Sequence, residues 1–361
     1  MEIILILSAL ALSFVLVIIA VPPIISTAKA KHLFEPFEER KVHTQIVPPL
    51  GGVAIFIGFT LSTIFATDGL RLDSLKYIYA AVLLMFFIGL KDDLMIISAR
   101  KKLIVQVVAA VLLIVFAHIR FTSLHGVFGE HHIGQLTSFS LTLFAMIVII
   151  NAFNLIDGVD GLASGLGMLA SFVFGTWFYL VGSYPLAIIS FAMVGSLAAF
   201  FLYNVFGHRN KLFMGDTGSL LIGVMISVFV VYFNELNLTA PDPYRIGGAP
   251  AVSFAIIIVP LIDTLRVMTI RVGQRRSPFS PDKNHIHHRL LALMNSHLKV
   301  TLTILLANIC IIAVAIGLNH WRLDVNLQFI VVFLIGLIFS FAPSYILRYQ
   351  KAKKTRKAYS A

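Results

Sequence analysis

At 361 residues, 58% hydrophobic and only 12% charged, the chain has too little polar surface for a water-soluble globule. Its mean hydropathy of +0.92 makes the bilayer its natural solvent. The net charge of +11 does not point to nucleic acid, because the basic residues collect at one membrane edge, where topology and anionic headgroups account for them.

Apolar runs of about 17 to 24 residues alternate with short polar loops, the length a helix needs to cross roughly 30 Å of hydrocarbon. The pattern fits helices rather than a barrel. It predicts an all-α, polytopic membrane protein of one domain, residues 1 to 361, with about eleven transmembrane helices. The spans fall near residues 3 to 26, 49 to 67, 76 to 91, 103 to 120, 138 to 155, 162 to 181, 185 to 206, 217 to 236, 248 to 270, 299 to 318 and 326 to 347. An odd count puts the termini on opposite sides. One set of loops with the C-terminal tail holds 23 of the 28 Lys and Arg, and the other set only Arg71, Lys76, Arg120, Arg245 and Arg322. The basic side is therefore expected in the cytoplasm, with the N-terminus outside and the C-terminus inside.

In chain order, the first run lacks a basic n-region and a cleavage pattern and is followed by Lys29 and Lys31, so it reads as an uncleaved span. RKVHTQIVPPLGG, residues 40 to 52, sets Arg40, Lys41 and His43 before the second span, either to hold an anionic substrate or as a positive flank. The third span closes in GLKDDLMIISARKK with Asp92 and Asp93. Adjacent helical residues point about 100° apart, so the two acids divide roles instead of chelating one ion as equals. A helix end paired with Lys91 or Arg100 is the plainer alternative. On the outer side, Gly126, Gly129 and Gly134 with His125, His131 and His132 fit a loop or short hairpin whose histidines need no metal.

NAFNLIDGVDGLASG, residues 151 to 165, places Asn151, Asn154 and Asp157 at successive i, i+3 positions at the end of the fifth span. Gly158 and Gly161 then let the backbone turn and present Asp160. KLFMGDTGSL, residues 211 to 220, puts Asp216 just before the eighth span, where Thr217 or Ser219 can cap the new helix and free N–H groups suit a phosphate. SPFSPDKNHIHHRL, residues 277 to 290, joins Asp282 to His285, His287 and His288, a set suited to contact phosphate, ligate a metal or exchange protons. Cys310 has no partner for a disulfide, and the basic tail, residues 348 to 361, reads as a helix end lying on anionic lipid.

Seven of the eleven aspartates (Asp92, Asp93, Asp157, Asp160, Asp216, Asp263 and Asp282) fall at or just beyond span ends on the basic side. Ionisable groups at the hydrocarbon boundary are costly, and clustered carboxylates repel unless a cation sits between them. A hard divalent metal with oxygen ligands is the economical explanation. A transporter would place such groups near the midplane in repeated, broken helices, and no repeat is evident.

The motifs DD at 92 and 93, NxxNxxDGxDGL at 151 to 162, FMGDTGSL at 213 to 220 and HIHH at 285 to 288 resemble, in order and in loop position, those of the polyprenyl-phosphate N-acetylhexosamine-1-phosphate transferases. The resemblance spans nearly the whole chain, and SPFSPDKNHIHH looks like the WecA-type, GlcNAc-1-phosphate branch rather than the MraY-type. It implies a multi-pass bacterial inner-membrane enzyme that moves GlcNAc 1-phosphate from UDP-GlcNAc to undecaprenyl phosphate, with GalNAc or a 6-deoxy sugar as alternatives. It implies Mg²⁺, or Mn²⁺, on Asp216 with Asp92, and Asp92 and Asp93 beside the lipid phosphate. It further implies Asn154, Asp157 and Asp160 along the nucleotide and diphosphate, and Asn204 and Phe213 near the uracil. His285, His287 and His288 would contact diphosphate and Lys41 the lipid or nucleotide phosphates, with Asn151, Asp282 and His43 as further candidate substrate-binding residues. A homodimer stays open.

Overall fold

The computed structural model describes residues 2–33, 47–67, 72–207, 210–276 and 284–359. Lys41, His43 and Asp282 lie outside them. In chain order the helices are α1 (Glu2–Ala30), α2 (Gly51–Ala66), α3 (Leu75–Leu94), α4 (Ala99–Phe116), α5 (Gln135–Ile156), α6 (Leu162–Leu180) and α7 (Tyr184–Phe206). They continue with α8 (Gly215–Asn237), α9 (Ala249–Ile256), α10 (Ile258–Gly273), α11 (Ile286–Met294), α12 (His297–His320) and α13 (Val325–Tyr359). Among the described residues the only β pairing is one antiparallel bridge, Ser123 to His132, in the segment marked by Gly126, Gly129 and Gly134. There His125 Nε2 lies 3.0 Å from the carbonyl of Asn234, so that histidine has a structural partner.

Every apolar segment expected to span is helical. Among the described residues, seven helices are long and apolar enough to cross a membrane on their own: α1, α5, α6, α7, α8, α12 and α13. The ninth segment departs from expectation, because α9 and α10 meet at a 76° bend. Pro260 explains it. Its ring displaces the carbonyl four residues earlier, that of Ile256, and the helix breaks there. The freed carbonyl accepts a hydrogen bond from Asn308 Nδ2 at 3.0 Å, which satisfies it inside the bundle.

Helix α8 is the axis of the molecule. Most of its length is buried on every side, against α2, α3, α5 and α6. At its base the backbones approach so closely that only glycine fits. A Cβ at Gly52 of α2 would lie 2.2 Å from the nitrogen of Gly218, and one at Gly89 of α3 would lie 2.5 Å from Cα of Thr217. Small residues at such crossings let helices pack closely in a bilayer, where apolar surface alone drives little association. Farther along α8, Phe229 and Phe233 meet Phe174, Phe178 and Trp177 of α6, with 4.5 Å between the Trp177 and Phe233 rings. The outer helices α1 and α13 present apolar faces, including Leu7, Ile19 and Ile338, as a lipid-facing wall does.

The tight base of α8 gives a direct test. Gly52→Ala meets backbone that cannot yield, and melting in detergent should show a loss of about 1–3 kcal/mol. Gly317→Ala, in α12 with nothing within 4 Å of the new methyl, should be neutral or stabilising by up to ~1 kcal/mol. Equal melting temperatures for the two variants would refute the close crossing.

Candidate active site

The end of α3, the start of α4, the end of α5 and the start of α8 converge on a cluster of acids. Asp93 is spent on α8. Its Oδ1 accepts the N–H of Asp216 at 2.6 Å, and its Oδ2 accepts the N–H and the hydroxyl of Thr217 at 3.0 and 2.5 Å. A carboxylate from another helix thus satisfies the first amides of α8 and complements the positive end of its dipole. The expectation that Thr217 or Ser219 caps this helix is corrected: Thr217 is a donor to Asp93, and Ser219 Oγ donates back to the carbonyl of Gly215 at 3.2 Å.

Asp92 points elsewhere, so the two neighbouring acids do divide roles. Its Oδ1 accepts the N–H of Ile97 at 2.6 Å, and its Oδ2 lies 2.7 Å from Lys102 Nζ. The same ammonium lies 2.5 Å from Asp216 Oδ2. Asp216 Oδ1 accepts Asn154 Nδ2 at 2.9 Å, and that amide also reaches Ser219 Oγ. Lys102 is therefore the cation that holds Asp92 and Asp216 together, in place of Lys91 or Arg100. Asn151 faces α4 instead of the acids, donating to Gln106 Oε1 at 2.8 Å.

The loop after α5 carries the other two acids. Burial, together with the negative field of Asp216, Asp93 and Asp160, pushes Asp157 up to about 8. Burial would also raise Asp160, but hydrogen bonds and charge from His297 and Lys211 outweigh it and hold that carboxyl below its ordinary range. Lys211 Nζ is 2.6 Å and His297 Nδ1 3.0 Å from Asp160 Oδ2. Asn204 is buried between the loops: its Oδ1 accepts the N–H of Gly161 at 2.5 Å and its Nδ2 donates to the carbonyl of Leu212 at 2.9 Å. It acts as a strut. Phe213 is exposed beside it, with Lys211 Nζ 5.6 Å from its ring centroid.

The three histidines separate. His285 is buried, its Nδ1 2.8 Å from Asp263 Oδ2, and Asp263 Oδ1 accepts the N–H of Ile286 and the guanidinium of Arg266. Asp263 thereby anchors α11 to α10. His287 packs against the loop of acids: a Cβ on Gly158 would fall 2.3 Å from its Nε2. Burial, then the neighbouring charge of His288, lowers His287 to about 3, so it stands neutral at physiological pH. The His288 ring lies 4.3 Å from that of His287.

Among the described residues no three His, Cys, Asp or Glu side chains converge as a metal cage. The donor set still suits a hard divalent ion of the Mg²⁺ type, which binds through one or two carboxylates and completes its shell with phosphate and water oxygens. Asp92 and Asp216 already gather a cation, the Lys102 ammonium. Sequence reasoning passed over Lys102, Gln106, Lys211 and His297. Lys102 and Gln106 had a signal: they stand at i, i+4 on the stripe of α4 that continues through the buried Ala109, Ala110 and Leu113.

Two expectations follow. Asp93→Asn turns one acceptor into a donor facing the N–H of Thr217, and should cost about 1–3 kcal/mol in melting experiments; an unchanged midpoint would remove the cross-helix cap. His287 is neutral in the fold but takes a proton near 6.5 when unfolded. Its contribution is thus full at pH 7 and is lost as pH falls from 6.5 towards 3. The wild-type melting temperature should fall more steeply over that window than that of His287→Gln, and parallel curves would contradict the buried neutral imidazole.

The family model for glycosyl transferase family 4 matches residues 75–234, which carry both Asp pairs and the start of α8. The undecaprenyl-phosphate alpha-N-acetylglucosaminyl 1-phosphate transferase of Escherichia coli strain K12 is 35% identical over 268 residues, covering 73% of this chain and 70% of that protein. The protein of the same name from Salmonella typhi is 36% identical over 256 residues, covering 70% and 67%. The decaprenyl-phosphate N-acetylglucosaminephosphotransferase of Mycolicibacterium smegmatis is 35% identical over 291 residues, covering 74% and 71%. With the acid cluster set at the ends of apolar helices, these likenesses make the chain a member of glycosyl transferase family 4, a membrane sugar-phosphate transferase related to the WecA-type enzymes.

Proposed function

We propose that the protein transfers GlcNAc 1-phosphate from UDP-GlcNAc to undecaprenyl phosphate, releasing UMP and opening the synthesis of a lipid-linked cell-envelope glycan. The observation that carries this reading is the pair Asp92 and Asp216 bracketing one cation at the end of the bundle, beside a loop rich in amides and acids. Transfer between two phosphates needs charge neutralisation and positioning more than covalent chemistry. The names of the relatives supply the lipid phosphate and the N-acetylglucosaminyl group. We place the site at the cytoplasmic face, with eleven spans, the N-terminus outside and the C-terminus inside, on the distribution of Lys and Arg.

In this reading a phosphate oxygen of the lipid attacks the β-phosphorus of the nucleotide sugar in line, the bond from that phosphorus to the bridging oxygen breaks, and UMP leaves. Asp92 and Asp216 would hold Mg²⁺, which neutralises the diphosphate when bound. Lys102 keeps the two carboxylates together and adds a positive charge for the phosphates. Asp93 accepts three hydrogen bonds from α8, which makes its oxygens poor nucleophiles and favours one step over a phosphoryl-enzyme route. Asp157, pushed up to about 8, is suited to exchange a proton with a lipid phosphate near neutral pH. Lys211 and Phe213 offer a cation and an aromatic face for the nucleotide.

Purified protein in detergent should release UMP and label undecaprenyl phosphate from radioactive UDP-GlcNAc when Mg²⁺ is present. UDP-GalNAc should react much less. Asp216→Asn should lose roughly 10²–10³-fold in turnover, the scale of removing one electrostatic contact to a transition state. Transfer from UDP-GalNAc alone would change the sugar, and a trapped sugar-phosphate on the enzyme would replace the single step.

A further inference from the structure

Beyond the acid cluster lies a cavity of 630 Å³, walled by α10, α11 and α13. Arg266, Arg289 and Arg348 line it together with Asn284, Phe341 and Tyr345. None of these residues belongs to the acid cluster. The cavity belongs to the same end of the bundle, because Arg266 is paired with Asp263, which holds His285 two residues before the His287 packed on Gly158.

Its charge is poorly compensated. Arg266 is buried, and one of its nitrogens donates to Asp263 and to the carbonyl of Asn284. Asp263 is shared with His285 and the N–H of Ile286, so it offers little more. The Nε atoms of Arg266 and Arg289 are shielded from solvent and, among the described residues, have no hydrogen-bond partner. Among the described residues the Arg289 side chain otherwise reaches Asn284, and Arg348 is exposed at the rim. A buried guanidinium donor without an acceptor is costly and rare. Two such donors, with the exposed Arg348 guanidinium at the rim of the same cavity, call for an anion with several oxygens, and a phosphoryl group matches the guanidinium fork.

The apolar part of the wall says where that phosphoryl group comes from. The Arg266 guanidinium lies 5.7 Å from the centroid of the Phe341 ring, and Phe341 and Tyr345 are exposed on α13, whose outer face has the apolar character of a lipid-facing helix. Ile270 and Leu347 complete that side. A cavity with guanidiniums within and an apolar helix at its mouth fits a molecule whose head is anionic and whose tails run in the bilayer. We propose that this cavity binds the phosphoryl headgroup of an anionic phospholipid, at a site distinct from that of the two substrates. Through Arg266, Asp263 and His285 the bound headgroup braces α11 and hence His287 against the acid loop. The inference rests on membrane embedding and on this geometry, not on the identity of the sugar transferred.

The test compares wild type with Arg289→Gln/Arg348→Gln, two residues outside the catalytic cluster, in nanodiscs of phosphatidylcholine with increasing phosphatidylglycerol. Lipid retained on the protein is read by native mass spectrometry, and melting temperature is read in parallel. Wild type should hold phosphatidylglycerol in preference to phosphatidylcholine and melt higher as its fraction rises. Each guanidinium removed near the surface should weaken that retention by roughly fivefold, and the double variant should lose the melting response. Arg348→Gln alone, at an exposed position that the fold does not need, should show the single-residue loss, and Arg348→Lys should recover part of it. Equal retention of phosphatidylglycerol by wild type and the double variant overturns the site. A rise in melting temperature with inorganic phosphate alone, as large as that with phosphatidylglycerol, overturns the lipid and makes the ligand a free phosphate.

Discussion

The acid cluster depends on one carboxylate that gives both its oxygens to a neighbouring helix. Asp93, from the last turn of α3, accepts the first amides of α8 and the hydroxyl of Thr217. In water those amides would be solvated. At the edge of a bilayer an unsatisfied amide costs far more, so the acceptor must come from the protein. The bond fixes α3 against α8 where Gly52 and Gly89 have let the backbones close up, and it thereby fixes Asp216, the second residue of α8. Asp92 sits next to Asp93 in sequence but turns through a helical step towards α4. Two adjacent acids thus serve two helices, Asp93 tying α3 to α8 and Asp92 reaching Lys102 of α4.

Charge then organises the rest. Five carboxylates near a low-dielectric boundary cannot all stay ionised unless cations stand among them. Lys102 answers Asp92 and Asp216, while Lys211 and His297 answer Asp160. Asp157 has no such answer, and burial with the surrounding negative charge pushes its carboxyl up to about 8, while burial pushes Asp93 up to about 7. The site is therefore short of positive charge at one place, between Asp157 and Asp216, with Asn154 donating to Asp216 beside it. A cation bound in this gap would relieve the repulsion among the carboxylates.

Much of this could be read in the chain and some could not, for identifiable reasons. Long apolar runs fixed the helices because in a bilayer every backbone group must pair within its own segment. The acids were legible because a carboxylate at a hydrocarbon edge is expensive and needs a reason. The bend between α9 and α10 was written in Pro260, yet composition alone reads IIIVPLID as one span. Lys102 was hidden by its surroundings: in ARKK it is one of three cations that topology already explains, and only its alignment with Gln106 and Ala109 on the inner stripe of α4 separates it from Lys101. Asn204 and His285 show the opposite limit. Both stand in polar stretches that suggest ligand contact, and both spend their hydrogen bonds on the protein, which no local pattern reveals.

The histidine motif shows how the two ends of this argument meet. His285 is held by an acid from α10, and that acid exists in the right place only because Pro260 has broken the ninth segment and turned α10 by 76°. A straight helix would have carried Asp263 away along its axis. The break therefore does two things at once. It brings Asp263 to α11, so that His287 is set against the loop of acids, and it swings Arg266 towards α13, where the cavity opens. Asp263 can neutralise only part of the charge around it, since it already serves His285, Ile286 and Arg266. The surplus guanidinium character on the α13 side is the consequence of using one carboxylate to position the motif, and it makes an anionic membrane surface the natural complement of that face.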